Sequence, residues 1–572
     1  MITAERMKKR MNLKFWKREH SESEDFFDMD ARERMIAKNL ETARIAKSGI
    51  SEYWKRMRAY YDGDHDTQRQ TQAMLSDMNL PFRLCSVPDG FLHVEGQIEA
   101  LAPDFEFSAR NEREEAISKL REKVVRHVVD ENDMVAKNAI NERRLNLYGS
   151  AVWKLSVSEN ASGKVDISIE NPSPETIFPD PFAASLDDCE YVAFIYRINA
   201  ARAARIFAKD LSERGISMET LSHGKRSGKR DPLGLGETVE VTEYWFRQAA
   251  DGEYGEGLHT EIYKSGDVAL SILIEGKEVR YLPKFWTNTS NTSYPFVIYN
   301  KIPTEGSLWG RSELEQITSL IDAADRQLTF AQLNTAFFAN DILLYEENAF
   351  SSDSFPENRP GAIWKLRPGM MEKVKRLGGL CSDHIAHYDI VEKYRSMMKE
   401  ALGNYDFMQG DSSTQVTTAT GLALLGDYAA KRVKAKNICK KAGFERLYRL
   451  IDALSMEIFS AERLHEITDC DEPFCYADCE EKFGYLPMPA ISVYVGNGVE
   501  HSKAFTLSAL SDLCGAEITE TNYPIIRAYI AALGIPERAS LTDAMDRIFA
   551  EKGERKNERN GDEIRTDGST LG

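Results

Sequence analysis

The sequence predicts an α+β fold, and three observations carry that prediction. Residues 31–63 set apolar residues inside a charged sequence, 113–146 is rich in Glu, Lys, Arg, Val and Ala, and the apolar residues of 311–340 recur at alternating spacings of three and four, the period of a helix with one buried face. Val152, Lys154 and Ser156, then Val165, Ile167 and Ile169, alternate in character about a turn at Ala161-Ser162-Gly163, which is the pattern of a β-hairpin. Finally, a stretch rich in Pro, Gly and aromatics lies between two long helical segments, so a small β-containing module is inserted there.

In chain order, the first helix carries Met35, Ile36, Leu40, Ala43, Ile45 and Ala46 and closes at Tyr60-Tyr61-Asp62-Gly63-Asp64, where the glycine marks a stop. A second helical stretch is expected from Arg113 to Asn146. After the hairpin, Pro172, Pro174, Pro179 and Pro181 force an extended, turn-rich path, because each fixes φ and removes a donor. Strands are expected at Tyr191–Tyr196, Val239–Phe246, Leu258–Tyr263, Ala269–Ile274 and Glu278–Leu282, with an exposed loop over Ser222–Gly236.

The segment Tyr294–Tyr299 reads as a strand leading through Leu308-Trp309-Gly310-Arg311-Ser312 into the next helix. Ser312 suits the N-cap, and Glu315, three residues on, suits the reciprocal partner of a capping box. Leu314, Ile317, Ile321, Ala324, Leu328 and Ala331 draw one apolar stripe, while Leu320, Phe330, Leu333 and Phe337 lie off it, so this helix is expected between two neighbours. If helical throughout 311–340, it is about 45 Å long. Within the inserted module, Ile342–Tyr345 and Ala362–Leu366 are the strand candidates. Helix resumes over Ala386–Leu402, a loop covers Gly403–Val416, and a long helix starts at Thr417 or Thr418. Pro487–Val495 reads as a strand and Ser502–Ala550 as helices.

The chain has 572 residues, 42% hydrophobic and 29% charged, the balance of a folded globular protein too long for a single core. No apolar run reaches the roughly 20 residues that span a bilayer. The first 30 residues are basic and then acidic without an apolar core, and read as a flexible charged arm rather than a secretory signal; 551–572 is similarly polar. The formal charge of −18 argues against gripping nucleic acid over the whole surface, yet is compatible with a conduit whose walls repel phosphates.

Of the eight cysteines five are scattered without pairing logic, which fits a reducing compartment. Cys470, Cys475 and Cys479, with His465, offer four potential zinc ligands, but their spacings lack the usual two-residue knuckle, and three reduced thiols are the other reading. The known catalytic signatures are near misses. Gly224–Arg230 lacks the glycine spacing and the final Ser or Thr of a P-loop, His465-Glu466 lacks the second histidine of a zinc protease, and Gly234-Leu235-Gly236 lacks the third glycine of a dinucleotide fingerprint. No catalytic residues, cofactor or metal are therefore assigned. The basic run Lys431, Arg432, Lys434, Lys436, Lys440 and Lys441 has two readings, a solvated helix face or transient contact with phosphates.

The order of these parts resembles the portal proteins of tailed bacteriophages. The matching segments are Tyr60–Asp64, Asn171-Pro172 to Asp180-Pro181 before Tyr191-Val192, Glu243-Tyr244-Trp245, Pro295-Phe296-Val297, Gly310-Arg311-Ser312 with Leu320-Ile321-Asp322, Arg326 and Asn334, and Thr418–Ala423. Each is weak alone; their order over about 450 residues carries the resemblance. It implies a ring, usually of twelve subunits, at one capsid vertex, through which double-stranded DNA is packaged and ejected. The implied divisions are an arm (1–30), a wing of helices and strands (31–309), a first stem helix (310–340), a clip (341–385), a second stem helix (386–403), a tunnel loop (404–417), a kinked helix returning to the wing (418–500), a crown of helices (501–550) and a polar tail (551–572).

The implied partners are copies of this chain, DNA in transit, the large terminase subunit, a head–tail adaptor, and the major capsid and scaffolding proteins, with assembly in the host cytoplasm and no membrane. Candidate DNA-channel residues are Gln409, Asp411, Ser412, Ser413, Thr414, Gln415, Lys431 and Lys434; candidate stem-interface residues are Leu314, Ile317, Ile321, Leu328, Phe330 and Phe337; candidate clip-docking residues are Tyr345, Phe350, Phe355 and Trp364. Two alternatives stand beside this reading: a soluble multidomain enzyme such as a nuclease or hydrolase, and another connector ring of the virion.

Overall fold

The computed structural model describes residues 31–77, 86–99, 101–159, 165–199, 238–248, 257–265, 294–339, 342–346, 365–377, 384–402, 419–470, 476–485 and 487–495, with a few single positions besides. It is a mixture of helices and small antiparallel sheets, as an α+β fold requires. Helix α1 (Ala31–Asp62) ends where expected, at Gly63 with φ +70°, and buries Trp54 and Met57 completely. Two short helices, α2 (Asp66–Asp77) and α3 (Asp89–Gly96), follow it.

The helix expected over 113–146 is two helices, α4 (Glu115–Glu131) and α5 (Met134–Tyr148), broken at Asp133, whose φ of 49° is left-handed. The break is stitched to a strand. Asn132 donates from Nδ2 to Val128 O and Ile167 O, its Oδ1 accepts from Ile169 N, and Lys137 Nζ donates to Ile169 O. Helix periodicity carries no trace of a break made by such distant partners.

The expected hairpin is present as β2 (Ser150–Glu159) and β3 (Val165–Glu170), closing at the pair Glu159↔Val165. Strand β8 (Phe296–Asn300) adds to the free edge of β2, with Trp153 opposite Val297. A second sheet runs β4 (Ile177–Pro179), β5 (Tyr191–Asn199), β6 (Thr238–Gln248), β7 (Gly257–Ser265), each antiparallel to the next. Tyr191, Ala193 and Tyr244 of this sheet pack on Ile36 and Ala43 of α1. Lys47 closes the same joint from α1. Its ammonium donates to the carbonyls of Pro174, Glu175 and Ile177 and lies 4.1 Å from the Phe178 ring centre. Burial pushes its pKa well below the ordinary lysine value.

The predicted helix at 311–340 starts with a 3-10 turn, Glu313–Ile317, and continues as α6 (Thr318–Ala339), about 33 Å of α-helix rather than 45. Ser312 is the N-cap, its hydroxyl accepting from Leu314 N at 3.1 Å. The capping box is not completed, because Ser312 N donates instead to the Tyr53 hydroxyl of α1. In the inserted module β9 (Ile342–Tyr345) is a strand as expected and pairs with β10 (Val374–Leu377), while 362–364 of the other strand candidate lie outside the described residues. Helix α7 (His384–Leu402) then returns.

Helix α8 (Ala419–Ile458) is 40 residues long; its second half buries Phe444, Leu447, Tyr448, Ile451 and Leu454 against the first sheet, with Phe444 5.9 Å from the rings of Trp153 and Tyr299. Helices α9 (Ala461–Thr468) and α10 (Tyr476–Phe483) lead to β11 (Ala490–Tyr494), which pairs across the molecule with β1 (Asp104–Ser108). Among the described residues no helix is long and apolar enough to cross a membrane. The strands expected at Ala269–Ile274 and Glu278–Leu282, the loop Ser222–Gly236, both tails and nearly all of 502–550 lie outside the described residues.

Candidate functional site

The helix pair α6–α7 projects the inserted module, and what matters for its function is how the pair is fastened to the body. Three carboxylates at the start of this unit face three different elements. Asp325, 4% exposed, accepts from Val87 N at 2.8 Å through Oδ1, and from Ser86 Oγ at 2.8 Å and Gln68 Nε2 at 3.3 Å through Oδ2. His65 Nε2 lies 3.1 Å from the same carboxylate and 3.4 Å from Asp322. Asp322 also accepts from the Tyr60 hydroxyl, whose ring stacks on His65 at 4.5 Å; burial first, and the Asp322 charge second, push this phenol up to about 12.

Glu313 receives the Lys301 ammonium at 3.0 Å and faces His93 Nε2 at 3.6 Å, while Lys301 also donates to Gln97 and Asn146. Burial by itself pushes the Glu313 carboxyl up, but His93 and Lys301 together outweigh it and hold the group at about 2. A carboxyl held below its unfolded value stabilises the fold at neutral pH. That contribution fades as pH falls from the ordinary glutamate range near 4.5 towards 2. Glu313→Gln is therefore expected to be less stable than the parent at pH 7 and to lose less stability between pH 5 and pH 2, read by urea unfolding at each pH. Parallel pH profiles for the two proteins would refute this.

The second helix of the pair is tied to the same place. Arg395 of α7 donates to Asp89 at the start of α3 at 3.0 Å, and Gly90 beside it sits so close that an added Cβ would meet Tyr60 O at 2.9 Å and Leu314 at 3.4 Å. Two turns earlier on α7, His387 lies between Gln327 (Nδ1 to Oε1, 2.8 Å) and Asn334 (Nε2 to Nδ2, 3.1 Å) of α6, so the two helices run antiparallel. The tautomer with its hydrogen on Nδ1 satisfies both neighbours at once.

The candidate residues divide sharply. Leu314, Ile317 and Ile321 are at most 1% exposed, packed into this chain's own core, which corrects their assignment to a subunit interface: the stripe faces α1, α3 and the body. Leu328 is half-buried and Phe330 is 49% exposed. For Phe337, Tyr345, Lys431 and Lys434 only the backbone is described, on α6, β9 and α8. Gln409, Asp411, Ser412, Ser413, Thr414, Gln415, Phe350, Phe355 and Trp364 lie outside the described residues.

Lys440, read with the basic run as solvated or phosphate-facing, is fully buried against Glu142. His465 Nδ1 faces Cys470 O, and the buried Cys479 thiol faces Phe474 O; among the described residues no group of three or more His, Cys, Asp or Glu is arranged to hold a metal. The structure also brings out residues that pattern reading passed over. Ile390 and Met397, 37% and 47% exposed, lie on an outward stripe of α7 with exposed Lys393 between them, and Arg326 lies one turn before Phe330 on α6.

Comparison with known families bears on the body that holds this helix pair. Residues 39–281 match the model of the phage P22-like portal protein family. That match supports a phage portal protein. The match covers less than half of the chain, from within α1 through β7, and so takes in both larger sheets but for β8 while leaving out α6, α7 and α8. No curated protein matches the chain. The match supports a portal or connector role in a phage, the family that the sequence resembles.

Proposed function

We propose that this portal protein is the subunit of a closed ring at one vertex of a phage capsid, forming the channel through which double-stranded DNA enters during packaging and leaves at ejection, without enzymatic activity of its own. The observation that carries the ring is the pair of unlike outward stripes on the stem: Arg326 and Phe330 on α6, Ile390, Lys393 and Met397 on α7. A ring is built from a head-to-tail contact, which joins two different surfaces of one subunit. A phenyl ring and a guanidinium on one helix, facing thioether and aliphatic groups flanked by Glu392 and Glu400 on the other, meet that need in shape and in charge.

In this reading 31–309 forms the wing, 310–340 and 386–403 the stem, 341–385 the clip, 404–417 the tunnel loop, 418–500 the helix returning to the wing and 501–550 a crown. Tyr345, Phe350, Phe355 and Trp364 offer the clip its docking surface for the terminase and then the adaptor. Gln409, Asp411, Ser412, Ser413, Thr414, Gln415, Lys431 and Lys434 line the DNA path. A net charge of −18 per subunit supports a wall along which DNA slides, since no strong phosphate grip opposes its motion.

Native mass spectrometry tests the ring. The parent is expected near twelve times 64.8 kDa with a central hole in negative-stain images. Phe330→Glu and Met397→Glu should each shift the population to folded monomer, because a buried unpaired carboxylate is strongly disfavoured. A parent that remains monomeric at micromolar concentration, or variants that assemble like the parent, would overturn the proposal.

A further inference from the structure

The long helix α8 carries two buried ion pairs in the half that lies against the body. Lys440, fully buried, has its ammonium 2.9 Å from Glu142 Oε1 of α5 and 2.9 Å from Glu99 Oε2; Glu142 is itself fully buried. Asp452, also buried, takes both ends of the Arg121 guanidinium of α4, at 2.8 and 2.5 Å, and Arg121 donates further to Pro487 O. Between them Gly443 gives Tyr299 room: an added Cβ would stand 2.7 Å from its Cβ.

The apolar contacts of α8 select an axial position only in part. A slip of one turn keeps an apolar residue at the places of Phe444, Leu447, Leu450 and Leu454, though it brings Asp452 to the place of Tyr448 and Leu447 to that of Gly443. The charged contacts do select. A slip that carried Phe444 to the place of Lys440 would set a phenyl ring against the buried Glu142 and, at the same time, Met456 against Arg121. The two pairs are twelve residues apart, about 18 Å along the axis, so they fix translation and rotation together.

We propose that Lys440–Glu142 and Arg121–Asp452 form an axial register lock, which holds the C-terminal half of α8 at a single position against the body. A buried ion pair is weak evidence for net stability but is well suited to specify register, because every wrong alignment leaves a charge unpaired. Any displacement of the N-terminal half of α8 then has to bend the helix and cannot slide it.

The test is a distance measurement on the full chain. Spin labels introduced bio-orthogonally at the exposed positions Val135 on α5 and Lys441 on α8, diluted with unlabelled protein, report the register by pulsed electron resonance. The parent is expected to give one narrow peak. The variant Lys440→Met/Glu142→Leu/Arg121→Met/Asp452→Leu, which replaces both pairs by apolar groups, is expected to remain folded and to show a second distance displaced by up to about 5 Å, one helical turn. A single unshifted peak in this folded variant overturns the proposal. Should that variant not fold, Glu142→Gln/Asp452→Asn, which keeps both shapes and an oxygen facing each cation, is expected to show the same second distance at lower weight, and an unchanged single peak there overturns it equally.

Discussion

Asp325→Ala is expected to cost about 3–5 kcal/mol of folding stability, the loss typical of removing one partner from a buried charged cluster. The magnitude follows from what is left behind. Val87 N, Ser86 Oγ and Gln68 Nε2 all donate to this one carboxylate, and the His65 ring, 1% exposed, faces it at 3.1 Å. Alanine orphans the buried amide of Val87, which costs about 1–3 kcal/mol, and removes the carboxylate that faces the buried His65 ring. Asp325→Asn keeps the acceptor for Val87 N while removing the charge, so it should fall between alanine and the parent. Denaturant unfolding followed by tryptophan fluorescence measures all three. An alanine variant within about 0.5 kcal/mol of the parent, the range of an ordinary surface change, would show that the cluster does not fasten the α6–α7 pair.

The second large effect is expected at Gly149→Ala. Gly149 ends α5 with φ +82°, a left-handed conformation that costs an alanine about 1–2 kcal/mol. Its missing side chain also gives passage to the chain entering the stem. A Cβ there would stand 2.6 Å from Arg311 O, and a Cβ on Gly310 would stand 2.6 Å from Gly149 O. These are backbone atoms, so no rotamer change relieves the overlap, and overpacking adds about 1–3 kcal/mol. The total expected loss is about 2–5 kcal/mol. Because Gly149 O also accepts from Lys301 N, separation of the two segments breaks that bond too. The double variant Gly149→Ala/Gly310→Ala should be destabilised by less than the sum of the single variants, since one separation relieves both overlaps. Strict additivity, or a neutral Gly149→Ala, would contradict the close approach.

How much of this was legible in the sequence depends on the range of the interaction that decides each feature. Gly63 as a helix stop, Ser312 as a cap and the β2–β3 hairpin rest on neighbours a few residues apart, and all are found where the pattern puts them. The break at Asp133 and the pairing of β1 with β11 rest on partners from about 35 to nearly 400 residues away, which no local period encodes. The stripe Leu314, Ile317, Ile321 was correctly read as buried, but periodicity cannot say whether this chain or a neighbouring copy buries it. Lys440 fails for a related reason: a lysine among lysines reads as surface, and only the approach of Glu142 makes it interior. The resemblance to portal proteins came from the order of whole segments, and the family match falls on residues 39–281, from within α1 through β7.

The short helix α3 has a mechanical consequence. Asp89 holds Arg395 of α7, His93 faces Glu313 at the head of α6, Glu95 binds Arg143 of α5 and the Tyr61 hydroxyl of α1, and the Val94 carbonyl accepts from Asn146. An element of eight residues gripped from so many directions cannot yield to one of them without straining the others. A push or twist on the α6–α7 pair is therefore passed through α3 to α1 and α5, and α1 carries it on through Lys47 to the carbonyls that precede β4.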